Sequence, residues 1–505
     1  MLRVTLLLLA VTAAWARMNV LFLVSDDMRP ELSIFEGKDF PSPVHPPMHS
    51  PNLDALARKS LLLKRAHVQQ AVCSPSRSSL LTGRRPDTTH VYDLVVYWRD
   101  VGGNFTTIPQ YFKEHGYRTI GSGKIFHPGH ASNNNDPISW TDPYFESGPQ
   151  ANNFVYKEKV SWLNVPMDVL KNNSLQDTQN ADYVINMIKQ VAPQARSGER
   201  PFFIAQGFHK PHLPFVAPQT FFDMYPESSI SLPANPYAPD KMPEIAWSSY
   251  GELRGYVDIR KLNVTGDINT TLPNDVILNL RRAYYSALSY TDYELGRVVQ
   301  ELENQGLANN TIISFWGDHG WQLGEHGEWC KHTDFELATH APMMVHVPGL
   351  TDKGIVTEEL TEFVDLFPTL VEAAGLPPIG LCPENSTDVL VCTEGTSLMP
   401  LITNPASPNW KKAVFSQYPR SDDGGHQMGY SMTTDKYRYT EWVKFDQKPL
   451  YKPDWNKVYG VELYDHIKDP EENFNLAYNT AEKELVSELR VKLHAGWRAA
   501  RPRDN

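Results

Sequence analysis

Three short runs, Asn19 to Val24, Phe202 to Gly207 and Thr311 to Trp316, are almost continuously apolar. A strand with both faces in the core reads this way, since neither face alternates with water. Between the runs the apolar spacing switches to three and four residues. Ser50-Pro51 predicts the start of a helix carrying Leu53, Leu56, Ala57 and Leu61, with serine as cap and proline in the first turn. Thr107 to His115 predicts a second helix, stopped by Gly116. Asp275 to Glu303 and Thr361 to Ala374 predict two more. Strands alternating with helices predict an α/β fold on a mostly parallel sheet covered on both faces. Ligands in such folds sit beyond the carboxyl ends of the strands. There the three runs lead into Asp26-Asp27, His209-Lys210-Pro211-His212 and Asp318-His319. Three separate segments are thus expected to deliver acids and histidines to one edge.

Residues 128 to 180 and 214 to 270 are rich in Pro, Asn and Asp with weak periodicity, and predict long surface excursions round a pocket. Beyond about residue 405, short alternating segments such as Tyr437 to Val443 and Val461 to Tyr464 precede a helix near Ala481 to Arg498. This predicts a catalytic domain over 17–405 and a smaller, strand-rich C-terminal subdomain over 406–505. At the other end, Met1 and Arg3, an apolar stretch from Val4 to Ala14 and the small residues of Ala14-Trp15-Ala16 predict a cleaved signal peptide over 1–16. No later stretch is long and apolar enough to span a bilayer, so a soluble mature chain is expected.

Passage through the secretory pathway agrees with Asn-X-Ser/Thr acceptors at Asn104, Asn172, Asn263, Asn269, Asn309 and Asn385. Four cysteines are too few for a disulfide-built scaffold. Cys382 and Cys392 close a short loop that holds one of the acceptors and are predicted to pair. That leaves Cys73 and Cys330, either bonded to each other or unpaired. An unpaired cysteine in an oxidising compartment calls for another explanation. The net charge of −12 argues against nucleic acid or an anionic membrane as partner. Protonating all 17 histidines would bring it to about +5, so an acidic compartment would suit a polyanionic substrate.

The chemistry centres on Cys73. Ala71-Val72-Cys73-Ser74-Pro75-Ser76-Arg77, followed by Leu80-Leu81-Thr82-Gly83, resembles the hallmark of the type I, formylglycine-dependent sulfatase family. Gly116-Tyr117-Arg118-Thr119-Ile120-Gly121-Ser122-Gly123-Lys124-Ile125-Phe126-His127 resembles the second signature of that family. The resemblance implies an alkaline-phosphatase-like fold, and a Cys73 oxidised to formylglycine by a formylglycine-generating enzyme. A hydrated aldehyde carries two hydroxyls on one carbon: one can attack sulfur, and the other can expel sulfate as the carbonyl re-forms. Pro75 can start a helix, which places residue 73 near a helix N-terminus where backbone N–H groups favour anions. Arg77, one turn on, can hold negative charge on the nucleophile or a carboxylate. By the resemblance, Lys124 and Lys331 grip the sulfate and His127 takes a proton during sulfate release. It also implies His209 as proton donor to the leaving oxygen, while the residues by themselves leave His212 equally open.

Adjacent carboxylates at a strand end are costly unless a cation or a proton offsets their repulsion. Hard oxygen donors select Ca²⁺ or Mg²⁺. The resemblance implies one divalent ion, usually Ca²⁺, held by Asp26, Asp27, Asp318 and residue 73. The next position is Asp or Asn in the family. Here it is His319, which is expected in the site with either a metal or a sulfate contact.

Longer strings, among them Thr82 to Thr89, Tyr97-Trp98-Arg99, Thr107 to Lys113, Gly324 to Trp329 and Ser416 to Arg420, narrow the resemblance. They are similar to the lysosomal members that remove the 2-O-sulfate from terminal iduronate in heparan and dermatan sulfate. That implies a sulfated glycosaminoglycan substrate with a carboxylate beside the sulfate, and Lys331, Trp321 and Arg99 are the candidate contacts for it. Cys330 and His332 flank Lys331 where those members carry alanine and tyrosine. Competing readings are another sulfatase specificity, a phosphate or phosphonate ester hydrolase on the same scaffold, and a silent binder of sulfated glycans. Loss of Cys73, Arg77, Asp26 or Lys124 would signal the last, and all four are present.

Overall fold

The computed structural model describes residues 17–35, 44–147, 158–422, 425–446, 448 and 450–502. The expected signal peptide, 1–16, lies outside the described residues. In chain order the strands are β1 (Asn19–Asp26), β2 (Leu61–His67), β3 (Arg118–Gly123), β4 (Trp162–Val165), β5 (Phe202–Pro211), β6 (Phe215–Pro218), β7 (Thr311–Gly317), β8 (Gln322–Leu323), β9 (Trp329–Cys330), β10 (Met343–His346) and β11 (Ile355–Glu362). Four more follow: β12 (Ala413–Asp422), β13 (Gly425–Thr434), β14 (Tyr437–Asp446) and β15 (Lys452–Asp465).

The main sheet has the order β11-β2-β10-β7-β1-β5-β3. Every neighbouring pair is parallel except those made by β10, which runs antiparallel to both β2 and β7. The three apolar runs form the adjacent strands β7, β1 and β5 at its centre. In β1, Leu21 and Leu23 enter one apolar cluster while Val20, Phe22 and Val24 enter another. This is the two-residue period of a strand with core on both sides. Helices Pro51–Ala57, Gln176–Ser197 and Asn274–Asn304 cover the first face. Helices Cys73–Thr82, Ile108–Glu114 and Leu366–Ala373 cover the second. Each fully buried Leu, Val or Phe contributes about 1.5–3 kcal/mol.

Some boundaries differ from the expectation. The first helix ends at Ala57, and Leu61 instead opens β2, where Leu61 and Leu63 face one cluster and Leu62 the other. The stretch from Thr361 begins as the end of β11, with Thr361 and Glu362 paired to Ala66 and His67. Its helix starts only at Leu366, which puts Pro368 in the first turn, where its missing N–H costs nothing. The two excursions are also more than surface. Strands β4 and β6 pair across them, and Tyr250, Leu253, Tyr256 and Ile259 are buried in the apolar cluster that the long helix also enters.

Strands β12 to β15 form a separate antiparallel sheet in sequential order. Helix Lys483–Ala500 covers one face through Leu489 and Leu493, against Met432, Tyr439 and Leu463. The other face packs Tyr418, Trp442 and Tyr464 on Val72 and Phe335. Gln417 N–H donates to the Gln69 carbonyl at 2.9 Å, so β12 is tied directly to the loop that leads into Cys73.

Candidate active site

Parallel strands present their carboxyl ends at one edge. There β1 ends in Asp26 and is followed by Asp27, β3 is followed by Lys124, β5 carries His209 near its end, and β7 is followed by Asp318 and His319. Asp27 turns the chain with a φ of 60°. Its N–H donates to Asp318 Oδ1 at 2.9 Å, and Asp318 N–H donates to the Ser25 carbonyl at 3.0 Å, which lock the two strand ends together.

Cys73 is the first residue of its helix and is buried. Its Sγ lies 3.4 Å from His319 Nε2, 3.5 Å from Lys124 Nζ and 4.0 Å from Asp27 Oδ1. Burial, and then the Asp26 charge, push the thiol well above its ordinary range. As a cysteine this side chain is therefore a protonated thiol and a weak nucleophile. Cys330 is also a free buried thiol, whereas Cys382 and Cys392 form the disulfide anticipated from their spacing.

Arg77, fully buried one turn along, spans two carboxylates: Nε donates to Asp318 Oδ2 and Nη2 to Asp26 Oδ1, each at 2.9 Å. Its Nη1 donates to the carbonyls of Lys124 and Ile125. Lys124 pairs with the other oxygen of Asp26. Burial would raise the Asp26 carboxyl, but Lys124 and Arg77 outweigh it and hold the group well below the usual carboxylate range. Asp27 goes the other way. Burial raises its carboxyl, Lys331 opposes this, and the charges of Asp26, Glu252 and Asp318 add to the rise.

A buried carboxyl that favours a proton, set between two further aspartates, is a place where a divalent cation can replace that proton. Two overlapping donor groups offer ligand atoms within 4.8 Å of one another: Asp26, Asp27, Cys73 and His212, and Asp27, Cys73, Asp318 and His319. The residues present thus fit a metal ion. His319 Nε2 lies 3.3 Å from Asp27 Oδ1, and burial lowers its pKa to about 4, leaving a neutral imidazole.

Lys331 Nζ sits 3.1 and 3.2 Å from the Asp27 oxygens, 3.4 Å from His212 Nε2 and 2.8 Å from Glu252 Oε1. Burial, and then Lys124, lower the His127 pKa to about 3. Of the two histidines left open by the residues, His212 touches the cluster, at 3.6 Å from Asp27 Oδ2. His209 is oriented by Asp177 Oδ1 at 2.9 Å from its Nδ1. Two expected sugar contacts lie elsewhere. Trp321 has no exposed surface and lies under Lys331, whose Nζ is 4.8 Å from the ring centroid, so it supports the lysine and cannot reach a sugar. Arg99 is held by both oxygens of Asp136 at 2.8 and 2.9 Å, with Gln110 and Asn104 as further partners. Four of its five N–H donors are engaged in the local fold.

Three residues at the mouth were given no role by the sequence argument. Glu252 lies in a weakly patterned excursion and bonds Lys331 and His332. Tyr418 bonds His332 from the C-terminal sheet. His332 stood out only as a departure beside Lys331. The six asparagines of the glycan acceptors are all exposed, and among the described residues no helix is long and apolar enough to cross a membrane.

The Sulfatase family model matches residues 18–376, and one described as N-sulphoglucosamine sulphohydrolase, C-terminal, matches 324–498. With a formylglycine signature at the head of a buried helix and a carboxylate cluster around it, the chain belongs to the type I sulfatases and is a sulfuric ester hydrolase. That family is known for a formylglycine nucleophile and a divalent metal. Among curated relatives, the chain is 38% identical to iduronate 2-sulfatase of Mus musculus, over 94% of this chain and 93% of that one. It is also 38% identical to iduronate 2-sulfatase of Homo sapiens, over 92% of each. Two solved structures share the fold: a phosphonate monoester hydrolase from Silicibacter pomeroyi and a 2-O GAG sulfatase. The first has a TM-score of 0.71 at 19% identity and covers 96% of both chains. The second has a TM-score of 0.66 at 18% identity and covers 95% of this chain and 91% of that one.

Proposed function

We propose that the chain is a lysosomal exo-sulfatase that hydrolyses the 2-O-sulfate of terminal iduronate in heparan and dermatan sulfate. The observation that carries this reading is the 38% identity to iduronate 2-sulfatases along 92–94% of the chain. Support comes from the convergence of Asp26, Asp27, Lys124, His319 and Lys331 around Cys73.

Formylglycine derived from Cys73 would supply a hydrated aldehyde whose hydroxyl attacks sulfur. Ca²⁺, held by Asp26, Asp27, Asp318 and residue 73, with His319 beside it, would supply Lewis-acid charge stabilisation. The chain's own residues do the rest. Lys124 lies 3.5 Å from Cys73 Sγ and Lys331 3.2 Å from the neighbouring Asp27 Oδ1, and two fixed ammonium groups can clamp a tetrahedral anion. Arg77 holds Asp26 and Asp318 in register. His127, whose pKa burial and then Lys124 lower to about 3, is neutral at the acidity of a lysosome, and proton acceptance during sulfate release is the role assigned to it. His209, oriented by Asp177, is the donor to the leaving oxygen, with His212 the alternative. The exposed acceptor asparagines suit glycosylation and delivery through the secretory pathway.

The test compares 4-methylumbelliferyl iduronide 2-sulfate with simple aryl sulfate and phosphate esters. Preference for the iduronide is expected, and equal or better turnover of the simple esters would overturn the specificity. Peptide mass spectrometry over residues 66–84 checks the nucleophile. Unmodified Cys73 alone, in active protein, would remove formylglycine from the account.

A further inference from the structure

Glu252 reaches the site from a turn and not from a strand end. Its segment is anchored by Leu253, fully buried, and by Tyr250, whose hydroxyl lies 2.7 Å from the Gly327 carbonyl and 2.8 Å from that of Thr270 and donates to one of the two. Glu252 Oε1 accepts from Lys331 Nζ at 2.8 Å and lies 3.4 Å from His212 Nε2. Oε2 pairs with His332 Nε2 at 2.7 Å, and Nδ1 of that ring lies 2.7 Å from the Tyr418 hydroxyl.

These contacts have one consistent direction. An ionised carboxylate only accepts, so His332 Nε2 carries the proton and Nδ1 is left to accept from Tyr418. The result is an ordered chain from the C-terminal sheet to the nucleophile: Tyr418 donates to His332, His332 donates to Glu252, and Glu252 accepts from Lys331. Lys331 is itself pulled in the opposite direction by Asp27, at 3.1 Å. With Asp27 alone the ammonium would be drawn inward. The Glu252 carboxylate on the mouth side holds it between the two.

We propose that Glu252 is a positioning residue for sulfate-ester cleavage, keeping Lys331 turned toward the incoming sulfate and His332 in a single tautomer. The proposal rests on the sulfate-gripping role given to Lys331 above. It also gives the C-terminal sheet a part in the site through Tyr418, which contributes no charge of its own.

The test is a double-mutant cycle of Glu252→Gln and Lys331→Met, with kcat/KM measured on 4-methylumbelliferyl iduronide 2-sulfate and on 4-methylumbelliferyl sulfate. Glu252→Gln should lower kcat/KM by about 10- to 100-fold, the effect of losing a charge-assisted hydrogen bond. Glu252→Asp, which keeps the anion, should recover part of the loss. In the Lys331→Met background, Glu252→Gln should add less than about twofold, because its effect passes through that lysine. Tyr418→Phe removes a single hydroxyl and should cost about 2- to 10-fold without lowering the thermal midpoint, which keeps the idea testable if Glu252→Gln fails to fold. Activity of Glu252→Gln equal to or above wild type, or penalties that multiply in the double variant, would overturn the proposal. If Lys331→Met alone leaves activity intact, the role of Lys331 fails as well. If Lys331→Met is crippled and Glu252→Gln is not, only the positioning role of Glu252 falls.

Discussion

Replacing Arg77 by lysine keeps the charge and removes the fork, and so separates the two. The guanidinium bonds Asp318 and Asp26 at 2.9 Å each from different nitrogens, and a third nitrogen serves two carbonyls. An ammonium is a single point and can satisfy one carboxylate in full. One charge-assisted hydrogen bond, about 1.5–3 kcal/mol, is then lost, and a buried carboxylate is left short of a partner. We expect Arg77→Lys to lower unfolding stability by about 3 kcal/mol. Asp26 also anchors Lys124. A displacement of about 1 Å there should lower kcat by roughly 10²-fold even in the folded fraction. The assay pairs urea unfolding, at constant slope, with kcat at saturating sulfate ester. If Arg77→Lys stays within twofold of wild type in kcat and keeps the same unfolding midpoint, charge alone organises the site and the argument from the fork is refuted.

Three further outcomes follow from the geometry. Asp334 is buried with no hydrogen-bond partner on either oxygen among the described residues; burial raises its pKa to about 8, against the pull of Arg438. Since this is above the unfolded value of about 3.9, the folded state gains from the proton at low pH and loses stability as pH rises from about 4 toward 8. Asp334→Asn should raise the thermal midpoint only a little at pH 5 and considerably more at pH 7.5; an equal shift at both would contradict the protonated state. Chelation should lower both activity and thermal midpoint, with Ca²⁺ restoring them better than Mg²⁺. At a metal concentration about 100 times Kd the stabilisation is about 2.7 kcal/mol, and a midpoint indifferent to chelator would count against the aspartate cluster as a metal site. Cys73→Ala should bring sulfatase activity to background while the circular-dichroism melt is retained, because the thiol makes no strong hydrogen bond in the core.

Much of the fold was legible because burial on two faces leaves a local trace. The runs at Asn19, Phe202 and Thr311 are the adjacent central strands, and their carboxyl ends carry the acids and histidines expected there. Where two signals overlap, the trace fails: Leu61 suits a helix stripe by spacing, yet pairing with β10 and β11 makes it a strand. The excursions gave only a weak periodic signal, and Glu252 was invisible within one of them.

Sequence by itself marked Cys73 and the helix it opens, the carboxylates at the strand ends and the family. Each of these depends on residue type at short spacing or on the forced geometry of parallel strands. Tertiary structure alone decided which side chains meet. It put Glu252 on Lys331 across 79 positions, brought Tyr418 from a different sheet onto His332, buried Trp321 beneath the lysine and gave Arg99 to Asp136. Periodicity reports whether a position is buried; it carries no record of the partner, because a long-range contact is set by how loops close over the sheet.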